Sequence, residues 1–214
     1  MTTLIFIRHG QSQSNLEKRF SGQHNPALTA LGHKQAEATA RYLAQLGIDR
    51  IYSSDLTRAY QTAEHTATLL GLEITPSQAL REINAGDWEG KLYAELMVEF
   101  PETYNQWLTD LGRAHPDNGE SVLQLNQRVH AEVARILSEN RGKRVAIFTH
   151  ATPVRMMACS WFNIPAPDAI KVPFCTNASV STVAYEDDGS FRLTEYGYDE
   201  HLGDLVTRFP KGLV

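Results

Sequence analysis

Three short segments constrain this chain more than anything else in it: Leu4-Ile5-Phe6-Ile7, Arg50-Ile51-Tyr52-Ser53-Ser54 and Arg144-Val145-Ala146-Ile147-Phe148-Thr149. The first and third are apolar on both faces and too short for helices, so they read as buried strands of a parallel sheet. Residues 50–54 read as another short strand. Each is followed by a stretch with helical periodicity. "PALTALGHKQAEATARYLAQLG" predicts a helix capped near Thr29 and stopped at Gly47, and "DLTRAYQTAEHTATLLG" one that runs from an Asp55 cap to Gly71. After residue 150, "TPVRMMACSWF" predicts a helix with Pro153 in its first turn, where proline is tolerated. Strand followed by helix, repeated, is the pattern of an α/β fold.

The remaining segments fit around that pattern. Val122, Leu125, Val129, Val133, Ile136 and Leu137 recur at helical spacing, and "SVSTVAYEDDGSFRLTEYG" predicts a hairpin turning at Asp188-Gly189. Between them, residues 73–120 are irregular: a short "EIT" strand, the loop "REINAGDWEG", then helix around 92–100 and on to about 110, interrupted at Pro101. A loop-rich helical insertion at about 83–120 is the part expected to form a substrate lid. A length of 214 residues with 42% hydrophobic and 21% charged suits one sizeable core, so residues 1–214 are expected to form a single domain.

Charge and cysteine usage exclude several classes of function. The net charge of −5 arises from interspersed acids and bases. This disfavours nucleic acid or an anionic membrane as a partner. Cys159 and Cys175 are the only cysteines, too few for a zinc ribbon or a disulfide framework, and no stretch approaches the ~20 apolar residues of a membrane span. A cytoplasmic protein is expected.

The chemistry sits where strands give way to helices. The first junction presents Arg8 and His9, the second Arg58, and the third His150. In an open parallel sheet these junctions share the carboxyl edge, so residues far apart in sequence converge. Two arginines and two histidines beside helix N-termini make an anion site, and the planar guanidinium forks suit a phosphoryl group. His9, held at a strand end, is placed to offer a ring nitrogen to phosphorus. A leaving alkoxide needs a proton, and the loop after residue 80 offers Glu82, Asp87 and Glu89; spacing alone does not choose among them. His24, His33, His65, His115, His130 and His201 lack a comparable setting and read as surface or packing residues.

Six ordered segments together resemble the histidine phosphatase superfamily, in its phosphoglycerate-mutase-like branch. They are "RHGQSQSN", "FSGQHNPALTALGHKQA", "IYSSDLTRAYQTAE", "LREINAGDWEG", "NGESVLQLNQRV" and "VAIFTHATPVR". The resemblance implies a three-layer α/β/α sandwich with a mostly parallel central sheet. It implies that His9 is the phosphorylated nucleophile and Glu82 the proton donor. Arg8, Arg58 and His150 would form the phosphate pocket, helped by Asn15, with Ser21, Gly22 and Ala151 at substrate-contact positions. Two departures stand out. Gln11 replaces the family's frequent Glu, and Ala151-Thr152 stands where Gly is usual, which matters if that position needs a positive φ. "THATPVR" is similar to the corresponding segment of some phosphoserine phosphatases.

The expected function is hydrolysis of small phosphomonoesters through a phosphohistidine intermediate, without metal or other cofactor. The alternatives are mutase-type phosphoryl transfer and a non-catalytic phospho-ligand module. Mutases of this family usually carry an Arg-Arg-Ser and Pro-Pro pattern after the acid loop, and residues 90–118 have neither. A pure binder needs no acid. A zinc hydrolase is poorly supported, because no carboxylate or histidine sits at ligand spacing beside His9 or His150. The expected partner is a small phosphorylated metabolite, and the resemblance is compatible with a homodimer. Trp88, Tyr93, Trp107, Arg113 and His115 are the insertion's candidates for recognising the rest of the substrate.

Overall fold

The computed structural model describes residues 1–208. Its six-stranded sheet has the order β3-β2-β4-β1-β5-β6. The strands are β1 (Thr2–Arg8), β2 (Arg50–Ser54), β3 (Ile74–Ser77), β4 (Arg144–Thr149), β5 (Val180–Tyr185) and β6 (Phe191–Tyr198). The first four in spatial order run parallel, while β5 and β6 join as an antiparallel edge. The sheet is thus mostly parallel, and its two central strands are the two continuous apolar runs.

Alternation along those strands divides the core into two layers. Leu4, Phe6, Val145 and Ile147 pack on one face with residues of α6 (Val122–Glu139) and α7 (Ala151–Trp161), such as Val133 and Met156. Ile5, Ile7, Ala146 and Phe148 pack on the other face with Leu43 of α2 (Ala30–Ala44) and Ala63 of α3 (Thr57–Leu70). Helices therefore cover both faces, which accounts for strands with no polar side. β1 leads toward α2 on one face and its neighbour β4 leads into α7 on the other. Their diverging carboxyl ends make the crevice of a topological switch point.

Most helix limits follow local chemistry. Thr29 caps α2 by accepting the Gly32 N–H at 3.0 Å, and Ser121 with Gln124 forms a capping box on α6. Gly71 closes α3 at φ +64°, a left-handed cap that glycine takes without strain. Asp55 is not the cap of α3: that place belongs to Leu56, which has no side-chain cap bond. Arg81 draws the Asp55 carboxylate away through a two-pronged ion pair, with Nε to Oδ1 at 2.6 Å, and the Thr57 N–H donates instead to Asn25 Oδ1 at 2.7 Å. α2 also ends at Ala44, ahead of Gly47. A five-residue helix, α1 (Gln13–Glu17), gives no amphipathic signal and was not expected.

The insertion contains α4 (Tyr93–Glu99) and α5 (Pro101–Thr109), separated at Pro101 as expected. It is fastened to the main core through aromatic rings. Trp88 is fully buried, with ring centroids 5.4 Å from Phe20 and 5.6 Å from Tyr104, and its indole N–H donates to Asp117 Oδ2 at 3.1 Å. The tail forms the expected hairpin, with Gly189 at φ +87° in its turn. Among the described residues, no helix is long and apolar enough to cross a membrane.

Candidate active site

His9 and His150 follow neighbouring strands whose last residues, Arg8 and Thr149, are in register. Their rings stand edge to face with centroids 5.1 Å apart. The backbone anchors His9 firmly: its N–H donates to Thr149 O at 3.0 Å, and its carbonyl accepts from Ala178 N and Asn177 Nδ2, both at 3.1 Å.

The His9 imidazole has a fixed orientation and a fixed proton. Nδ1 lies 2.7 Å from Gly10 O, and a carbonyl only accepts, so Nδ1 carries the hydrogen. Nε2 is then the lone-pair nitrogen, and Arg58 Nε donates to it at 3.2 Å. Burial, followed by the charges of Arg58 and Arg8, holds the His9 pKa well below its ordinary value. The ring is therefore neutral at pH 7, as a nucleophile must be.

Two guanidiniums frame that nitrogen. Arg58, fully buried in the first turn of α3, donates to Gly22 O at 2.7 Å and to His24 O at 2.9 Å. Arg8 donates to Cys175 O and lies 4.5 Å from the centroid of the Phe174 ring. Burial lowers each arginine to about 10, against which the Glu82 carboxylate pulls upward, so both stay charged at neutral pH. His150 is also fully buried. Its Nε2 pairs with Ser54 Oγ at 2.8 Å, and its Nδ1 has no hydrogen-bond partner among the described residues. Burial first, then Arg58, lowers its pKa well below the ordinary histidine range.

The three acids of the loop lie in different places. Glu82 lines the cavity shared by Arg8, His9 and Arg58, and its carboxylate accepts the N–H of Ile83 at 2.9 Å and of Thr152 at 3.2 Å. Thr152 is in the first turn of α7, so a helix N-terminus faces this carboxylate. Glu89 instead ties the loop together by accepting from Gln23 N and Ala85 N, and Asp87 is exposed and bonded to Asn118.

The other expected contact residues also reach the cavity. Asn15, Ser21, Gly22 and Ala151 all line it. Asn15 Oδ1 accepts from Ser12 N and from Asn177 Nδ2, both at 3.1 Å, which leaves its amide hydrogens to point elsewhere. Ala151 is helical and needs no positive φ, so the usual glycine is dispensable here. The Thr152 N–H that follows serves Glu82.

Sequence reasoning missed Phe20, Leu111, Arg155 and Phe174, which complete the cavity wall, and Asn177, which positions both Asn15 and His9. Arg155 lies one helical turn beyond Ala151, on the same face of α7, and could have been found from that spacing; Phe174 comes from an irregular loop that carries no pattern. Of the insertion's five candidates, Tyr93 and Trp107 reach the cavity. Trp88 is core, Arg113 pairs with Asp110 on the surface, and His115 bonds Gly119 O. The remaining histidines pack or face solvent: His201 stacks on Tyr42 and His33 pairs with His65. Among the described residues, no group of three or more His, Cys, Asp or Glu side chains could hold a metal ion.

Comparison with known proteins places this arrangement. The family model for the histidine phosphatase superfamily, branch 1, matches residues 4–199. The chain belongs to the histidine phosphatase superfamily. This superfamily member is 30% identical over 213 residues to phosphoserine phosphatase 1 of Hydrogenobacter thermophilus, covering 100% of both chains. Among solved structures it resembles Bacillus stearothermophilus YhfR, with a TM-score of 0.90 and 28% identity over 94% of this chain and 100% of that one. It also resembles a mycobacterial glucosyl-3-phosphoglycerate phosphatase solved with VO3, with a TM-score of 0.85 and 27% identity over 92% of this chain and 99% of that one.

Proposed function

We propose that this superfamily member is a phosphatase that hydrolyses small phosphomonoesters in two steps, with His9 as nucleophile and Glu82 as proton donor. Relatives named as phosphatases support the general activity. The observation that carries the mechanism is the neutral His9 ring, its proton held on Nδ1 by Gly10 O and its Nε2 lone pair set beside Arg58, in the same cavity as Glu82.

In the first step, Nε2 forms a bond to phosphorus as the bond to the ester oxygen breaks, and the Glu82 carboxyl gives its proton to the departing alkoxide. In the second, the Glu82 carboxylate takes a proton from water. That water attacks phosphorus, the nitrogen–phosphorus bond breaks, and inorganic phosphate leaves. Arg8 and Arg58 supply charge to the phosphoryl oxygens, and the buried, unpartnered Nδ1 of His150 and the amide of Asn15 supply hydrogen bonds. No step calls for a metal ion.

The test is phosphate release from a panel of phosphometabolites, with His9→Ala as blank. The account expects release from several small esters by the wild type and none by the variant. Equal release by both would overturn it.

A further inference from the structure

Glu82 sits on a stretch of chain that belongs to no helix or strand. Residues 81–85 connect the short 3₁₀ turns Gln78–Leu80 and Gly86–Trp88, so the carbonyls around the acid need partners from elsewhere. One side chain supplies most of them. Arg128, in α6, donates through Nη1 to Ala79 O at 2.9 Å and Arg81 O at 2.8 Å, and through Nη2 to Glu82 O at 2.9 Å. Its remaining hydrogens go to Glu120, with Nε to Oε1 at 2.7 Å and Nη2 to Oε2 at 2.8 Å. All five guanidinium hydrogens are therefore used, most of them on the backbone that carries Glu82. Thr149 Oγ1, next to His150, donates to the intervening Leu80 O at 2.7 Å.

Glu120 grips the same loop beyond the acid. Its N–H donates to Asn84 O at 2.7 Å, and its Oε2 accepts the Asn84 N–H at 3.2 Å. Glu120 stands just before the Ser121 cap of α6 and Arg128 about two turns further on, so a single helix packed on the core carries both grips. The ion pair between them is two-pronged and partly buried, which fixes its geometry. Neither residue borders the cavity of His9, so neither touches a substrate held there.

The clamp governs where the Glu82 side chain starts. Its carboxylate end is held by the N–H groups of Ile83 and Thr152, and its root by the bond from Arg128 to its own carbonyl. Proton transfer to a leaving oxygen requires the heavy atoms to come within about 2.6–3.2 Å. A misplacement of about 1 Å can cost about 10²-fold in rate. The nucleophile does not share this dependence, because the bonds that anchor His9 come from Gly10, Thr149, Asn177 and Ala178.

We propose that Arg128 is a positioning residue that, with Glu120, sets the reach of Glu82 toward the leaving oxygen. This rests on the phosphatase reading above, with Glu82 as its acid.

The test uses kcat/KM, which covers the reaction only up to the phosphoenzyme, for 4-nitrophenyl phosphate and for the alkyl ester that the wild type hydrolyses fastest in the panel above. Arg128→Met should lower the alkyl ester by about 10–10²-fold and the aryl ester by under about threefold. The retained aryl rate shows that the variant is folded. In a Glu82→Gln background, Arg128→Met should cost the alkyl ester under about threefold more, because the acid it positions is gone. Charge is a separate effect: after burial, Arg58 and His9, the charge of Arg128 also lowers the His150 pKa. Arg128→Lys keeps that charge but offers at most three of the five hydrogens, so it should still lose the alkyl ester selectively, by about three- to thirtyfold. An Arg128→Met variant that loses both esters alike, a full loss in the Glu82→Gln background, or a wild-type ratio in Arg128→Lys overturns the proposal and leaves Glu82 as the acid. A Glu82→Gln variant that slows both esters equally, or a wild type that releases phosphate from neither, overturns the reading on which the proposal rests.

Discussion

Lowering the pH from 7.5 to 5.5 should destabilise this fold through the two histidines at its centre. Burial and the neighbouring arginines hold His9 and His150 well below the ordinary pKa of 6.5. In the unfolded chain an ordinary histidine passes from about one-tenth to about nine-tenths protonated over that interval. The unfolded state then binds the extra protons, and stability falls as the pH drops through 6.5. Each ring that stays neutral in the fold costs about 1.4 kcal/mol over the interval, and the pair about 2.7 kcal/mol, a large part of a typical 5–15 kcal/mol. His65 and His201 are lowered too and add in the same direction. The carboxylates of Asp55 and Glu132 are also lowered, but their contribution is lost only nearer pH 4, outside the interval. Urea unfolding at both pH values, in buffers free of phosphate and sulfate, measures the drop; His9→Gln and His150→Asn should each reduce it by about 1.4 kcal/mol. A drop unchanged in both variants would refute the claim that these rings are neutral in the fold.

Other perturbations probe separate parts of the account. Glu82→Gln should slow alkyl phosphates by about 10²–10⁴-fold and an aryl phosphate, whose leaving group hardly needs a proton, by under about tenfold; equal losses in steady-state kinetics would move the acid elsewhere. Activity should be unaffected by excess EDTA, and a loss that zinc or magnesium restores would contradict the absence of a metal step. Trp88→Ala should cost about 3–5 kcal/mol in urea unfolding, because the ring is fully buried against Phe20 and Tyr104; a loss under about 1 kcal/mol would show that the insertion is not fastened through it.

Much of this was legible in the sequence because it depends on local signals. The apolar runs of β1 and β4 declare their burial on both faces, and the ends of those strands locate Arg8, His9 and His150. Arg58 is legible for the same reason, one turn beyond a strand end. The acid was different. Glu82, Asp87 and Glu89 share one loop, and only the approach of Thr152, from 70 positions along the chain, sets Glu82 apart. Asp55 misled for a related reason, since a distant Arg81 outcompetes a local cap. Asn177 works through contacts with the His9 carbonyl and the Asn15 side chain, which come from another segment and leave no periodic trace.

The most direct test of the central claim is capture of the covalent intermediate. Wild-type enzyme quenched during turnover of a phosphoryl-labelled ester should carry label that is lost in acid and retained in base, as a phosphoramidate is, and His9→Ala should carry none. Label that resists acid, or that persists in His9→Ala, would contradict the phosphohistidine route.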